Sequence, residues 1–401
     1  MTADVLEIFT ALTRPEGRED PYPLYARLHE QGEAVRAWPG CVLVPGYDAI
    51  SLVLRDPAYL VTDKARLEEV FPAWREHPSM WMGSIVNLNP PDHARIRMMI
   101  SGMFAPRRLG RLRPVIERMA DCLLDDMAAA AEDGAAVEFM HDFAFLLPVT
   151  VICELIGIPE GDRESFRSPA ADLAATLEMG LLEDTLAAGD KAAIWLHEYF
   201  TRLAAQRRAD PRDDLISALV GIADDGGLTQ DELLDNLTLL LVAGFETTTN
   251  LLGNGLRIVL DQPAVGAALR EGAIPVASFV EEVLRYDAPV QLTSRRAGIE
   301  TEVRGVPVAA GDEILVLLGA GNRDARRFPD PDVFNPQRAV SGPLSFGAGP
   351  HFCVGAALAR LEAAVAFPRL LHRFPGLALA GPPRRRPGLV LRGYETLPVT
   401  V

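Results

Sequence analysis

The stretch LSFGAGPHFCVGAALARLEAAVAF, residues 344–367, decides the reading of this chain. Phe346, Gly347, Gly349, His351, Cys353 and Gly355 form F-G-x-G-x-H-x-C-x-G. Behind the cysteine, Val354, Ala357, Leu358, Leu361 and Val365 recur at helical spacing, so Cys353 is expected to open an amphipathic helix. A sulfur at that end meets the positive pole of the helix dipole and N–H groups with no helical partner. Both favour S⁻, and with it metal ligation. The glycines let the loop backbone approach a flat group without Cβ clashes, and His351 is placed to reach an anionic substituent at its edge. The competing reading is a buried free cysteine acting as a small hydrophobe, which the flanking glycines and His351 disfavour.

Three further patterns lie upstream. Thr229 and Glu232 make a capping box, and the pattern it starts runs to Asp261, just before Pro263. A helix of that length spans roughly 48 Å, and apolar residues nearly all round it predict burial. Inside it, AGFETTT (243–249) sets Glu246 beside Thr247, a carboxylate and a hydroxyl in an otherwise apolar helix. A threonine bonding back to the preceding turn, with Gly244 easing a bend, would open a groove there. In NLNPPDHARIRMMISGMFAP (87–106), His93 and Arg97 share one helix face, a pair suited to carboxylates. In EEVLRYDAPV (281–290), Glu282 and Arg285 stand at i, i+3, a pattern that alone means only a surface ion pair.

In this order, these motifs resemble the cytochrome P450 family over essentially the whole chain. The resemblance implies a mainly α fold with a small β region. A haem b would be sandwiched between the long central helix and the helix after the cysteine loop, with Cys353 thiolate as axial ligand of the iron. It places Phe346 and Gly347 in the haem-binding loop and His93, Arg97, Arg295 and His351 on the propionates. Arg296 is the alternative to Arg295. Glu246 and Thr247 would relay protons for O–O cleavage, and Glu282, Arg285 and Arg338 would form a structural network pinning the loop. The distal pocket would draw on Trp81, Met82, Ile85 and Val86 of the aromatic 63–90 loop, with Leu239, Ala243, Val290 and Leu292. Residues 161–208 correspond to the family's mobile lid.

The remaining features bound this picture. The net charge is −16 and Lys64 and Lys191 are the only lysines, which disfavours nucleic-acid binding. Cys41, Cys122, Cys153 and Cys353 show no C-x-x-C pair, so neither a zinc site nor a disulfide framework is expected. The absence of a signal-like N-terminus and of a long apolar run predicts a cytoplasmic protein off the membrane. Residues 22–32 and 47–54 read as helices, 34–38 and 41–44 as a hairpin, and 114–160 as helices broken at Gly134 and Gly157. Residues 302–308 and 313–317 read as strands, 389–400 as a final hairpin, and Arg384 to Arg386 as a solvated turn. The expectation is one domain over 1–401, its β-rich part within 20–62. With no fused reductase, electrons would come from a ferredoxin or flavodoxin and its NAD(P)H reductase. Arg107, Arg108, Arg111 and Arg113 are either solvent surface or the patch that docks this donor.

The reading is a monooxygenase that inserts one oxygen atom of O₂ into an apolar molecule, such as a polyketide or terpenoid. Its rivals are a peroxide-driven fatty-acid-type haem oxidase, a non-enzymatic haem-thiolate sensor and a Cys/His hydrolase built on Cys353 and His351. An acid–alcohol relay would be superfluous in the first two.

Overall fold

The computed structural model describes residues 3–70, 75–77, 83–180, 182–340 and 342–401. Trp81 and Met82 lie outside the described residues. A small mixed sheet stands at one side. β1 (Val35–Trp38) and β2 (Cys41–Val44) turn at Pro39-Gly40, as the pattern predicts. β3 (Tyr59–Leu60), β4 (Thr293–Ala297) and β5 (Glu313–Val316) complete it in the order β1-β2-β5-β4-β3, with β2 and β5 parallel. The sheet therefore ties the N-terminal part to the segment leading to the cysteine loop.

The rest is mainly helical. The helices that frame the site are α1 (Tyr47–Arg55), α2 (Asp92–Ser101), α3 (Pro106–Ala130), α4 (Leu146–Ile156), α5 (Arg167–Ala175), α6 (Glu183–Ala209), α7 (Gln230–Asp261), α8 (Val276–Tyr286) and α9 (Ala356–Arg373). The capping box of α7 is formed, Thr229 Oγ1 accepting from the Glu232 N–H at 3.1 Å and Glu232 accepting from the Thr229 N–H at 2.9 Å. α7 is helical at every residue, and α4, α5, α6, α8 and α9 all pack on it. Gly244 serves close packing rather than a break in the helix: a Cβ there would stand 2.5 Å from Ile152 Cγ1. Among the described residues no helix is long and apolar enough to cross a membrane.

Three expectations need correction. α3 begins at Pro106, not at residue 114, because a proline in the first turn loses no helical hydrogen bond; Arg107, Arg108, Arg111 and Arg113 therefore lie on this helix. Arg108 and Arg111 pair with Asp213, and Arg113 with Glu117. Residues 389–400 do not fold on themselves: Tyr394–Thr396 pairs with Arg384–Arg385, and Pro398–Thr400 with Val137–Glu138 and Ala378–Leu379. Nor is Arg384–Arg386 a solvated turn. Arg385 reaches Asp287 at 3.0 Å, beside Arg392 at 2.6 Å and the Tyr22 hydroxyl at 2.7 Å, and Arg386 grips Glu246. Burial alone would raise the Asp287 carboxyl, but Arg385 and Arg392 hold it well below its usual range.

The E-x-x-R pair is buried and forked, with Arg285 Nε and Nη2 at 2.8 and 2.7 Å from the two oxygens of Glu282. Arg285 also donates to the carbonyls of Asn322, Pro331 and Val333, while Glu282 accepts from the Asn335 N–H and from Arg338. Asn322 carries the connection onward. Its Oδ1 accepts from the Leu344 N–H at 2.7 Å and its Nδ2 donates to Ser345 Oγ, whose own proton goes to the Leu284 carbonyl. The network thus holds the chain up to the residue before Phe346. Arg285→Ala would strip the buried Glu282 carboxylate of its forked partner and leave only the Asn335 N–H and the longer Arg338 contact, at a cost of about 3–5 kcal/mol. The expected result is a lower urea midpoint at unchanged m, with loss of the ordered cysteine loop.

Candidate active site

The motif residues converge on one cavity of about 340 Å³. α7 supplies one wall through Leu239, Leu240, Ala243, Thr247, Thr248 and Leu251, and the loop ahead of α9 supplies the facing wall through Phe346, Gly347, His351, Cys353 and Val354. Ile85, Val86 and Val290 close the sides, as expected. Leu292 does not line the cavity. It belongs to the buried cluster that holds Val35, Ala37 and Leu43.

The loop geometry explains its glycines. Gly349 has φ +69°, and a Cβ there would sit 2.2 Å from the Leu54 carbonyl oxygen of α1, so no other residue fits. The Cys353 N–H donates to the Phe346 carbonyl at 2.9 Å, closing the turn. α9 starts at Ala356, three residues after the cysteine rather than at it, and the N–H groups of Gly355 and Ala356 point at the sulfur. Cys353 is exposed and lines the cavity. Burial raises the thiol above its ordinary range, and the N–H groups, Arg97 and Arg360 oppose this only in part. The N–H groups at the helix end favour S⁻, as expected, but burial acts against them and is the larger effect. A coordinating metal reverses this, since it deprotonates a thiol outright.

At one end of the cavity a set of donors gathers with no acid among them. The rings of His93 and His351 lie 4.0 Å apart, and both line the cavity together with Arg97 and Arg295. Among the described residues His93 Nε2 has no hydrogen-bond partner, and it is buried. Arg295 is 6% exposed, its side chain donates to the Ser294 carbonyl, and burial pushes it down to about 10. Burial first, then His93 and the two arginines, lowers His351 to about 3. Arg97 also donates to the Phe352 carbonyl at 2.7 Å. Such a cluster lacks an anion of one or two carboxylates. Arg296, the alternative to Arg295, points elsewhere, toward Asp63 at 3.7 Å. Together, a sulfur facing the cavity under two N–H groups, an apolar slot and a cluster of cationic and imidazole donors fit a haem with its propionates.

The structure separates the expected acid–alcohol pair. Thr247 lines the cavity and its Oγ1 donates to the Ala243 carbonyl at 3.3 Å. Glu246, about 100° round the helix, does not line the cavity. Both its oxygens accept from Arg386, at 2.9 and 3.0 Å, and the residue is buried. Sequence reasoning missed Arg386, 140 residues away, and also Thr248, Leu240, Ile152 and Glu362 of the lining. The spacing of 240, 244, 247, 248 and 251 on one face of α7 carried the signal for two of these.

Comparison with known proteins agrees. The family pattern described as Cytochrome P450 matches residues 276–386. The cytochrome P450 monooxygenase PikC of Streptomyces venezuelae is 39% identical over 394 residues, covering 95% of this chain and 91% of that one. The ligand-free structure of Mycobacterium smegmatis CYP164A2 superposes with a TM-score of 0.89 at 38% identity, over 99% of this chain and 100% of that one. Tirandamycin C-bound P450 monooxygenase TamI gives 0.82 at 35%, over 95% and 97%. With the cysteine loop, the forked Glu–Arg network and the long buried helix all in place, the chain belongs to the cytochrome P450 family and is a P450 monooxygenase.

Proposed function

We propose that this enzyme holds haem b on Cys353 and oxidises a bulky, apolar small molecule, of polyketide or terpenoid type, with electrons from a separate ferredoxin or flavodoxin and its reductase. The observation that carries the reading is the pairing of the Cys353 sulfur, under two backbone N–H groups, with the acid-free cluster of His93, Arg97, Arg295 and His351 at the edge of the same cavity. Phe346 and Gly347 complete the loop beneath, where Arg360 stacks over the Phe346 ring at 4.4 Å and is tied to Glu281. When bound, the thiolate-ligated haem supplies the chemistry by which O₂ gives up one oxygen atom to a C–H bond or double bond.

The chain supplies position and protons. Leu239, Leu240, Ala243, Ile85, Val86 and Val290 give an apolar wall that excludes water and receives an apolar substrate. Solved relatives hold tirandamycin C, testosterone and myristic acid, ligands consistent with such a wall. The hydroxyl proton of Thr247 is directed to the Ala243 carbonyl, so the lone pairs of Oγ1 are left for water in the cavity. Glu246 faces Arg386 and does not line the cavity, so it can join this relay only by turning toward the cavity. For the electron donor we favour the side of the cysteine loop, where Phe352 and Met98 are exposed near Arg97. Arg108 and Arg111 are partly neutralised by Asp213 and contribute less than the bare sequence suggests.

The test is turnover of a panel of macrolactones, terpenoids and fatty acids with NADPH, ferredoxin, reductase and isotopically labelled O₂. One labelled oxygen atom per product is expected. Product formed only when peroxide is added would favour the peroxide-driven alternative. Thr247→Ala should pass a larger share of the electrons to peroxide at unchanged haem content. Arg295→Ala should weaken haem binding by about 10- to 100-fold, as expected for loss of a charged hydrogen bond of about 1.5–3 kcal/mol, with Arg296→Ala near wild type. Haem transfer to apomyoglobin measures both.

A further inference from the structure

Glu178 lies three residues beyond the end of α5 and joins that end to the wall of the cavity. Its Oε2 accepts from the N–H groups of Leu389 and Val390 at 2.7 and 2.9 Å, and its Oε1 from that of Leu391 at 2.9 Å. Bonds from a backbone N–H to a carboxylate are of the stronger, charge-assisted kind. The fit is close. A Cβ at Gly388 would stand 2.2 Å from Glu178 Oε1, so only glycine leaves room for the carboxylate there. Met179 follows and packs against the buried cluster that holds Leu389.

Residues 389–392 run against the segment that brings Pro289 and Val290 to the cavity. Leu391 bridges to Val290, the Gln291 N–H donates to the Val390 carbonyl at 2.9 Å, and the Arg392 N–H donates to the Pro289 carbonyl at 2.9 Å. Pro289 and Val290 both line the cavity. This wall is anchored from behind: Gln291 Oε1 accepts from the Tyr25 hydroxyl at 3.1 Å, and the Gln291 carbonyl accepts from the Gly319 N–H at 2.9 Å. The turn that carries Glu178 is at the surface, where Leu177 is 43% exposed. When the contact parts, the end of α5 is therefore the side that moves. We infer that Glu178 is a positioning residue that clasps the end of α5 to the cavity wall and sets how fast bulky molecules enter and leave. Release breaks three hydrogen bonds and no covalent bond, and water replaces each partner. The inference rests on the monooxygenase reading, which makes this cavity the substrate site.

The experiment follows binding and release of two probes by stopped flow, in haem-loaded wild type, Glu178→Ala, Glu178→Gln, Gly388→Ala and the double variant Glu178→Ala with Gly388→Ala. Econazole is a bulky azole that ligates haem iron, and carbon monoxide is a small ligand of the same iron. Gly388→Ala pushes the carboxylate out of its seat without removing it. Each single alanine variant is expected to speed econazole entry and exit together by about 10-fold, the change that loss of one hydrogen bond to a charged group supports. Glu178→Gln turns its NH₂ toward at least one N–H donor and should fall between them and wild type. The econazole dissociation constant and the carbon monoxide rates should stay near wild type. Gly388→Ala should add nothing once Glu178 is alanine, because both substitutions break the same contact. Wild-type econazole rates in either alanine variant, carbon monoxide rates raised by the same factor, or full additivity in the double variant would each overturn the inference. A contact that only stabilises the fold would lower the urea midpoint and leave the econazole rates alone, which contradicts it too. The carbon monoxide spectrum of wild type separates this failure from failure of the monooxygenase reading, because it reports thiolate-bound haem whatever Glu178 does.

Discussion

Ionising Cys353 in this protein means placing negative charge against an apolar cavity wall, and the groups that touch the sulfur do not fully offset that desolvation. The N–H groups of Gly355 and Ala356 aim at it, Arg97 and Arg360 lie further off, and the thiol still stays above its ordinary range. A coordinating metal would supply the charge that offsets this desolvation, and much of the structure serves to present the sulfur to the cavity. Gly349, pressed against the Leu54 carbonyl in a backbone conformation only glycine takes easily, sets the path of the loop. The Glu282–Arg285–Asn322–Ser345 connections hold the chain leading into it.

A second constraint acts at the cavity edge. Two arginines and two imidazoles gather in one cluster that contains no acid, and burial pushes Arg295 and His351 toward their neutral forms. This arrangement is unfavourable by itself and becomes favourable when carboxylates enter. The sulfur and the cationic edge thus make complementary demands, one for a metal and the other for an anion, and a single flat group carrying both answers them.

Much of this was legible in the sequence because it is local. The cysteine loop, the capping box at Thr229 and the i, i+3 pair of Glu282 and Arg285 each need only a few consecutive residues; the box and the pair form as read, and the helix after the loop starts three residues later than read. What was not legible depends on distant partners or on the choice of helix face. α7 is buried nearly all round, so its periodicity could not show that Thr247 faces the cavity while Glu246 faces away. Arg386 sits 140 residues from Glu246, and a run of three arginines gives no sign that two of them are inward. The strands near the C-terminus pair with residues 137–138 and 378–379 rather than with each other, and Leu292 belongs to the core under the small sheet. Glu362 was passed over because one acid in an alanine- and leucine-rich helix looks like surface until its burial is known.

The central claim is that Cys353 binds haem iron as a thiolate, and the absorption spectrum of the dithionite-reduced protein under carbon monoxide tests it most directly. For wild type the account predicts a strongly red-shifted Soret band, lost in Cys353→Ala. A protein that takes up no haem, or a histidine-type Soret band that Cys353→Ala leaves unchanged, would contradict it.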